Sequence, residues 1–91
     1  MEWIWDERKA ATNLDNHDVF FEIAVLVFED PWQLSAPDPH TDDDRWRTIG
    51  MVKATTLFVV HTVTEADGTG RIISARKATK TERRKYEQAR H

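Results

Sequence analysis

Residues 55–64 (TTLFVVHTVT) constrain the fold more than any other stretch, because an almost unbroken run of β-branched and apolar side chains fits an extended strand and little else. Ala66-Asp67-Gly68-Thr69-Gly70 follows with the residues of a tight hairpin turn, and 71–75 (RIISA) returns as the partner strand. Upstream, 45–51 (RWRTIGM) fits a half-buried strand with Trp46 and Ile49 on opposite faces. Strands joined this closely pair antiparallel, and such a sheet needs at least one face covered. A chain of 91 residues buries only about 60% of the surface it exposes when unfolded, which leaves material for one small core.

Helices from both ends supply the cover. Asp6 reads as the N-cap of a helix over 7–16 with Ala10, Ala11 and Leu14 as its apolar stripe. Lys9, Asn13 and His17 fall at i, i+4 and i+8 and share a polar face. Asp18 is placed to cap a second helix starting near Val19; it is apolar nearly all round and is therefore expected to be mostly buried. Glu29-Asp30-Pro31 ends it, since the residue before a proline is pushed out of the helical region. Residues 1–5 and 32–36 fit short strands, and 37–44 is turn chemistry throughout. Thr79 and Glu82 form a capping box that opens a last helix to about residue 90. The expected product is a single α+β domain over 1–91, ordered β-α-α-β-β-β-β-α, with an antiparallel sheet and its helices on one face.

Charge is strongly polarised along the chain. Residues 1–70 carry five Lys and Arg against fourteen Asp and Glu, a net −9, while residues 71–91 carry eight against two, a net +6. A basic end suits a polyanion, and it equally suits a solvated helix. The absence of cysteine excludes a disulfide framework and a Cys-based zinc site. No apolar stretch approaches the ~20 residues that cross a bilayer, and MEWIWDERK lacks a signal-peptide pattern, so the expected location is the cytoplasm. His40 with Asp42, Asp43 and Asp44 offers hard ligands but neither EF-hand spacing nor a second histidine, so no metal and no cofactor is expected.

Several segments together are more specific. Trp5-Asp6-Glu7-Arg8-Lys9 is followed by Asn13, His17, Val19, Phe21 and Glu22, then by Arg45, Ile49 and Gly50. Leu57-Phe58-Val59-Val60-His61-Thr62 comes next, then Arg71-Ile72-Ile73-Ser74-Ala75-Arg76-Lys77-Ala78, with Glu82-Arg83 and Tyr86-Glu87 after it. At this spacing the chain resembles the BrnT family of ribonuclease toxins, part of the RelE-like superfamily in type II toxin–antitoxin systems. The resemblance implies a RelE-like sheet with two N-terminal helices and a C-terminal one, an RNA-binding cleft, and metal-independent RNA cleavage that inhibits translation. It also implies a BrnA-type antitoxin as partner, assembly as a toxin–antitoxin heterotetramer, and contact with operator DNA only through the antitoxin. Position 16 departs from the family pattern, with Asn where Lys is usual, and the acidic loop beside Arg45 opposes a polyanion.

Metal-free RNA cleavage needs a base for the 2′-hydroxyl, an acid for the leaving 5′-oxygen, and cations on the phosphorane-like transition state. Arg71 and Arg76 are the candidates for the cations, because a guanidinium fork matches two phosphate oxygens; both also suit surface arginines lying over apolar sheet. His61 is a candidate proton carrier, although it shares a face with Leu57, Val59 and Val63 as a core histidine would. Tyr86 offers a stacking ring and a hydroxyl, or else an anchor for its helix. Lys9, Asn13, His17, Arg45 and Lys77 complete the expected RNA contacts, with helix capping as the rival role of His17, while Glu82 is assigned to its cap. A toxin that has lost efficient cleavage but still binds antitoxin is the competing function; no helix-turn-helix pattern supports a DNA-binding module. Trp3, Trp5, Trp32 and Trp46 exceed what so small a core holds, so one or two are expected at a partner contact.

Overall fold

In the computed structural model, which describes residues 2–39, 44–62 and 68–90, the long apolar run forms the middle strand of a five-stranded sheet. The elements are β1 (Glu2–Ile4), α1 (Glu7–His17), α2 (Phe21–Ala24), a 3₁₀ helix (Val25–Glu29), β2 (Leu34–Pro37), β3 (Arg45–Val52), β4 (Thr55–Thr62), β5 (Thr69–Lys77) and α3 (Lys80–Ala89). The spatial order is β1-β5-β4-β3-β2. All neighbours are antiparallel except β1, which pairs parallel to β5 with Trp3 opposite Gly70. Gly70 is required there, because a Cβ would collide with the Trp3 ring lying over it. That ring stacks on Phe28 at 4.1 Å. The hairpin residues 66 and 67 lie outside the described residues.

One face of the sheet carries the core. Val19, Phe21, Ala24 and Val27 pack on Leu57, Val59, Ile72 and Ala75, with Trp3 and Trp5 against its margin. The second helical segment differs from expectation in a way its geometry explains. It makes one α turn and continues as 3₁₀ helix, whose three residues per turn keep every third side chain in line. Phe21, Ala24 and Val27 form the buried row, and Phe20, Ile23 and Leu26 form a second row that remains 54%, 44% and 37% exposed. The helix is therefore half covered, not sheathed. Asp18 does not cap it either; at φ 59° it closes α1 in the left-handed conformation, its N–H bonded to the Leu14 carbonyl, and Phe20 opens α2 without a side-chain bond.

Side chains seal the two sheet edges where neighbouring strands stop short. Beyond β1, the edge of β5 is met by the Asn13 amide, which donates to the Ala75 carbonyl at 2.8 Å and accepts from the Ala75 N–H at 3.0 Å. The same amide donates to the Val19 carbonyl at 3.1 Å, so α1 is fastened both to the sheet and to the chain entering α2. Past β2, the Asp30 carboxylate accepts from the Met51 N–H of β3 at 2.8 Å and from the Trp32 N–H at 2.8 Å.

The C-terminal helix starts as expected, with Thr79 and Glu82 exchanging both bonds of a capping box. Its position corrects the one-sided arrangement. Phe58 and Arg76 alternate with the buried Val59 and Ala75 and so point away from the core, and α3 lies on that side, holding Arg76 through Glu82. Tyr86 is the buried anchor of α3, its hydroxyl donating to Asp30. Of the four tryptophans, Trp32 is the exposed one at 47%. Among the described residues no helix is long and apolar enough to cross a membrane.

Candidate nucleic-acid interface

Residues 71 and 76 are an odd number apart, so regular alternation sets them on opposite faces of β5. A bulge reverses this. Val60 pairs with Ser74 and His61 with Ile72, leaving Ile73 unopposed. Ile72 and Ala75 are both buried on the core side in consequence, and Arg71, Ser74 and Arg76 all face the other way. The ladder lost at the bulge is partly replaced by a bond from the Arg71 N–H to the Thr62 hydroxyl at 2.9 Å. On the same face, Arg45 stands opposite Thr62 and Arg47 opposite Val60, in the same cross-strand row as Ser74. Arg47 escaped the sequence reading, although the Arg-x-Arg alternation of β3 carried the signal. Next to this face, α1 and β5 form a cleft of about 310 Å³ lined by Arg8, Lys9, Asn13, Asn16 and His17 of α1 and by Ile73 and Ser74 of β5.

The two principal arginines differ in engagement. Arg71 is exposed, and its guanidinium makes no hydrogen bond among the described residues. Arg76 lies with its guanidinium carbon 4.1 Å from the centre of the Phe58 ring and holds both Glu82 carboxylate oxygens, at 2.8 and 2.9 Å. That fork holds the Glu82 carboxyl below its ordinary range against the effect of burial, with the Thr79 N–H assisting. Glu82 therefore has two roles, the helix cap and the partner of Arg76.

Three expected contacts lie elsewhere, and a fourth lines the cleft with its polar group already committed. His61 is on the core side, edge-on to Trp3 and Phe28 at 5.3 and 4.8 Å. Its Nδ1 meets the Thr62 carbonyl at 2.8 Å, which can only accept, so the proton sits on Nδ1. Nε2 then accepts from the Thr48 hydroxyl at 2.7 Å, which in turn is 2.7 Å from Ser35. Both nitrogens are occupied, and burial depresses the imidazole pKa. Tyr86 is likewise buried, its hydroxyl committed to Asp30 and its pKa pushed up to about 12 by burial and by that carboxylate. Burial pushes the Asp30 carboxyl up, but the Tyr86 hydroxyl and the two backbone N–H groups outweigh it and hold its pKa down. Asn13 lines the cleft but spends its amide on backbone, and Lys77 falls on the α2 side of the sheet beside Leu57 and Phe20. His40, Asp42 and Asp43 lie outside the described residues; among the described ones no three potential metal ligands cluster.

The buried neutral His61 has a consequence for stability. Between its depressed folded pKa and the unfolded value of 6.5, the unfolded chain binds the extra proton. That contribution is complete above pH 6.5 and is lost as pH falls, with a limiting slope of about 1.4 kcal/mol per pH unit. Thermal melts from pH 7.5 to 5 are expected to show the decline, and His61→Gln to flatten it in that window.

Guanidinium groups gathered on one face of a five-stranded sheet, with the core sealed on the other, define a small α+β protein with a polyanion-compatible surface. The family model described as "Ribonuclease toxin, BrnT, of type II toxin-antitoxin system" matches residues 5–82, and the chain belongs to that family. Among solved structures, the 1.1 Å crystal structure of the Brucella abortus ribonuclease toxin BrnT is similar, at 30% identity and a TM-score of 0.70, over 88% of this chain and 99% of that one. A search of curated proteins gives no match.

Proposed function

We propose that this toxin is an endoribonuclease that cleaves RNA without a metal ion, shuts down translation, and is neutralised in the cytoplasm by a BrnA-type antitoxin. The observation that carries the reading is the Ile73 bulge, which turns Arg71 and Arg76 onto one face beside the Lys9 and His17 cleft. Phosphate oxygens of a bound strand meet Arg71, Arg76, Arg45 and Arg47, and α1 contributes Lys9. In the chemical step the 2′-oxygen bonds to phosphorus and the bond to the 5′-oxygen breaks, leaving a 2′,3′-cyclic phosphate and a 5′-hydroxyl. The two guanidiniums act on charge that grows on the non-bridging oxygens. A phosphate approaching Arg76 competes with Glu82 for the same fork. With His61 and Tyr86 turned away, His17 is the described imidazole on this side of the sheet, the residue type suited to moving protons at neutral pH.

Purified chain is expected to cut RNA in the presence of EDTA and to leave cyclic-phosphate ends. Cleavage that stops in EDTA and returns with Mg²⁺ overturns the metal-free step. A second reading, an antitoxin-binding protein with weak cleavage, draws on the locked His61 and Tyr86 and on Asn16 in the cleft. No cleavage of free or ribosome-bound RNA by folded protein selects it. The antitoxin pairs with the toxin as a heterotetramer and carries all contact with operator DNA.

A further inference from the structure

The exposed row Phe20, Ile23 and Leu26 is not scattered apolar surface. It forms one wall of a cleft of about 340 Å³ on the α2 side of the sheet, floored by Val52 and Leu57. Thr55 and Lys77 at its rim also line a second cleft, of about 490 Å³, along α3. There Lys77, Lys80, Arg83 and Arg84 face a single carboxylate, Glu87. An apolar trough thus opens into a basic one across two shared residues, and one polypeptide segment can lie in both.

We propose that this continuous track is where the antitoxin docks, taking apolar side chains along Phe20, Ile23 and Leu26 and the adjoining carboxylates against Lys80, Arg83 and Arg84. The proposal rests on the toxin–antitoxin reading above and adds the surface and the chemistry of the bound segment. Charge decides between occupants. A second copy docking face to face sets the α3 cations of both copies against each other, which like charges oppose. RNA is served by the basic trough but gains little from a largely aliphatic wall, whereas a segment that is apolar at one end and acidic at the other matches both halves. Arg71 lies on the opposite side of the sheet from the apolar trough, so docking in that trough is separable from the cleavage site, whereas the basic trough along α3 is on the Arg71 and Arg76 side.

The test uses two double variants at exposed positions, Ile23→Asp with Leu26→Asp and Arg83→Glu with Arg84→Glu. Calorimetry against the purified antitoxin, circular dichroism and RNA cleavage are measured on each. The first variant is expected to bind about 100-fold more weakly, as loss of central apolar anchors does. The second is expected to lose about tenfold and most of its salt dependence. Both are expected to stay folded, and the first to cleave RNA within about twofold of the unmodified chain. Unmodified chain that binds while both variants bind as well overturns the surface alone. Unmodified chain that does not bind removes the antitoxin reading, and the surface with it. Charge reversal that slows cleavage and spares binding assigns the basic trough to RNA. An unmodified dimer that Ile23→Asp makes monomeric assigns the apolar trough to a second copy.

Discussion

Replacing Arg71 with Ala is expected to slow RNA cleavage by about 10²–10³-fold, the effect of removing one preorganised donor from a developing phosphorane charge. The same change is expected to leave stability within about 0.5 kcal/mol, because the exposed guanidinium holds nothing among the described residues and the Arg71 N–H keeps its bond to Thr62. That separation makes Arg71 the cleaner probe of the pair. Arg76→Ala removes a bidentate contact to Glu82 and the cover of Phe58, so a slower rate there mixes chemistry with a loosened α3. Arg71→Lys is expected to recover only part of the rate, since an ammonium supplies charge without the planar fork. Single-turnover cleavage with a melting curve for each variant decides the matter; a rate unchanged in Arg71→Ala removes it from the reaction.

Asn13→Ala is expected to be among the most damaging single substitutions for the fold, at about 2–4 kcal/mol. The side chain is buried, and its loss strands the Ala75 N–H, the Ala75 carbonyl and the Val19 carbonyl together. In a domain of this size each kcal/mol lowers the melting temperature by about 4–8 °C. Asn13→Asp is expected to fail as well, because a carboxylate still accepts from the Ala75 N–H but turns its second oxygen on two carbonyls. Amide exchange at Ala75 is the specific readout, rising in both variants beyond the change in global stability. A melting temperature within a few degrees of the unmodified chain shows that the edge is held by other means.

The strands and the C-terminal cap were legible because their signals are local: β-branched runs, alternating Trp46 and Ile49, and hydroxyl-to-Glu spacing in the capping box. The core position of His61 was legible too, in its alternation with Leu57 and Val59. What escaped the sequence depends on geometry between elements. No residue announces the bulge at Ile73, yet it decides which face Arg71 takes. The polar face of α1 correctly grouped Lys9, Asn13 and His17, but only the abrupt end of β1 shows that Asn13 must complete a strand edge. Helical periodicity misread 20–28 because the segment turns every three residues after its first turn. Asp30 looked like a helix terminator and is also the acceptor that anchors Tyr86 and the end of β3.

The two sealed edges also govern what this sheet can join. At Ala75 and at Met51 the backbone groups that an incoming strand would seek are already taken by Asn13 and Asp30. A partner chain cannot lengthen the sheet at these points by adding a strand of its own. The toxin is therefore addressable there through its faces and helices, and a copy crowded against another copy finds no backbone template at either place from which to start a shared sheet.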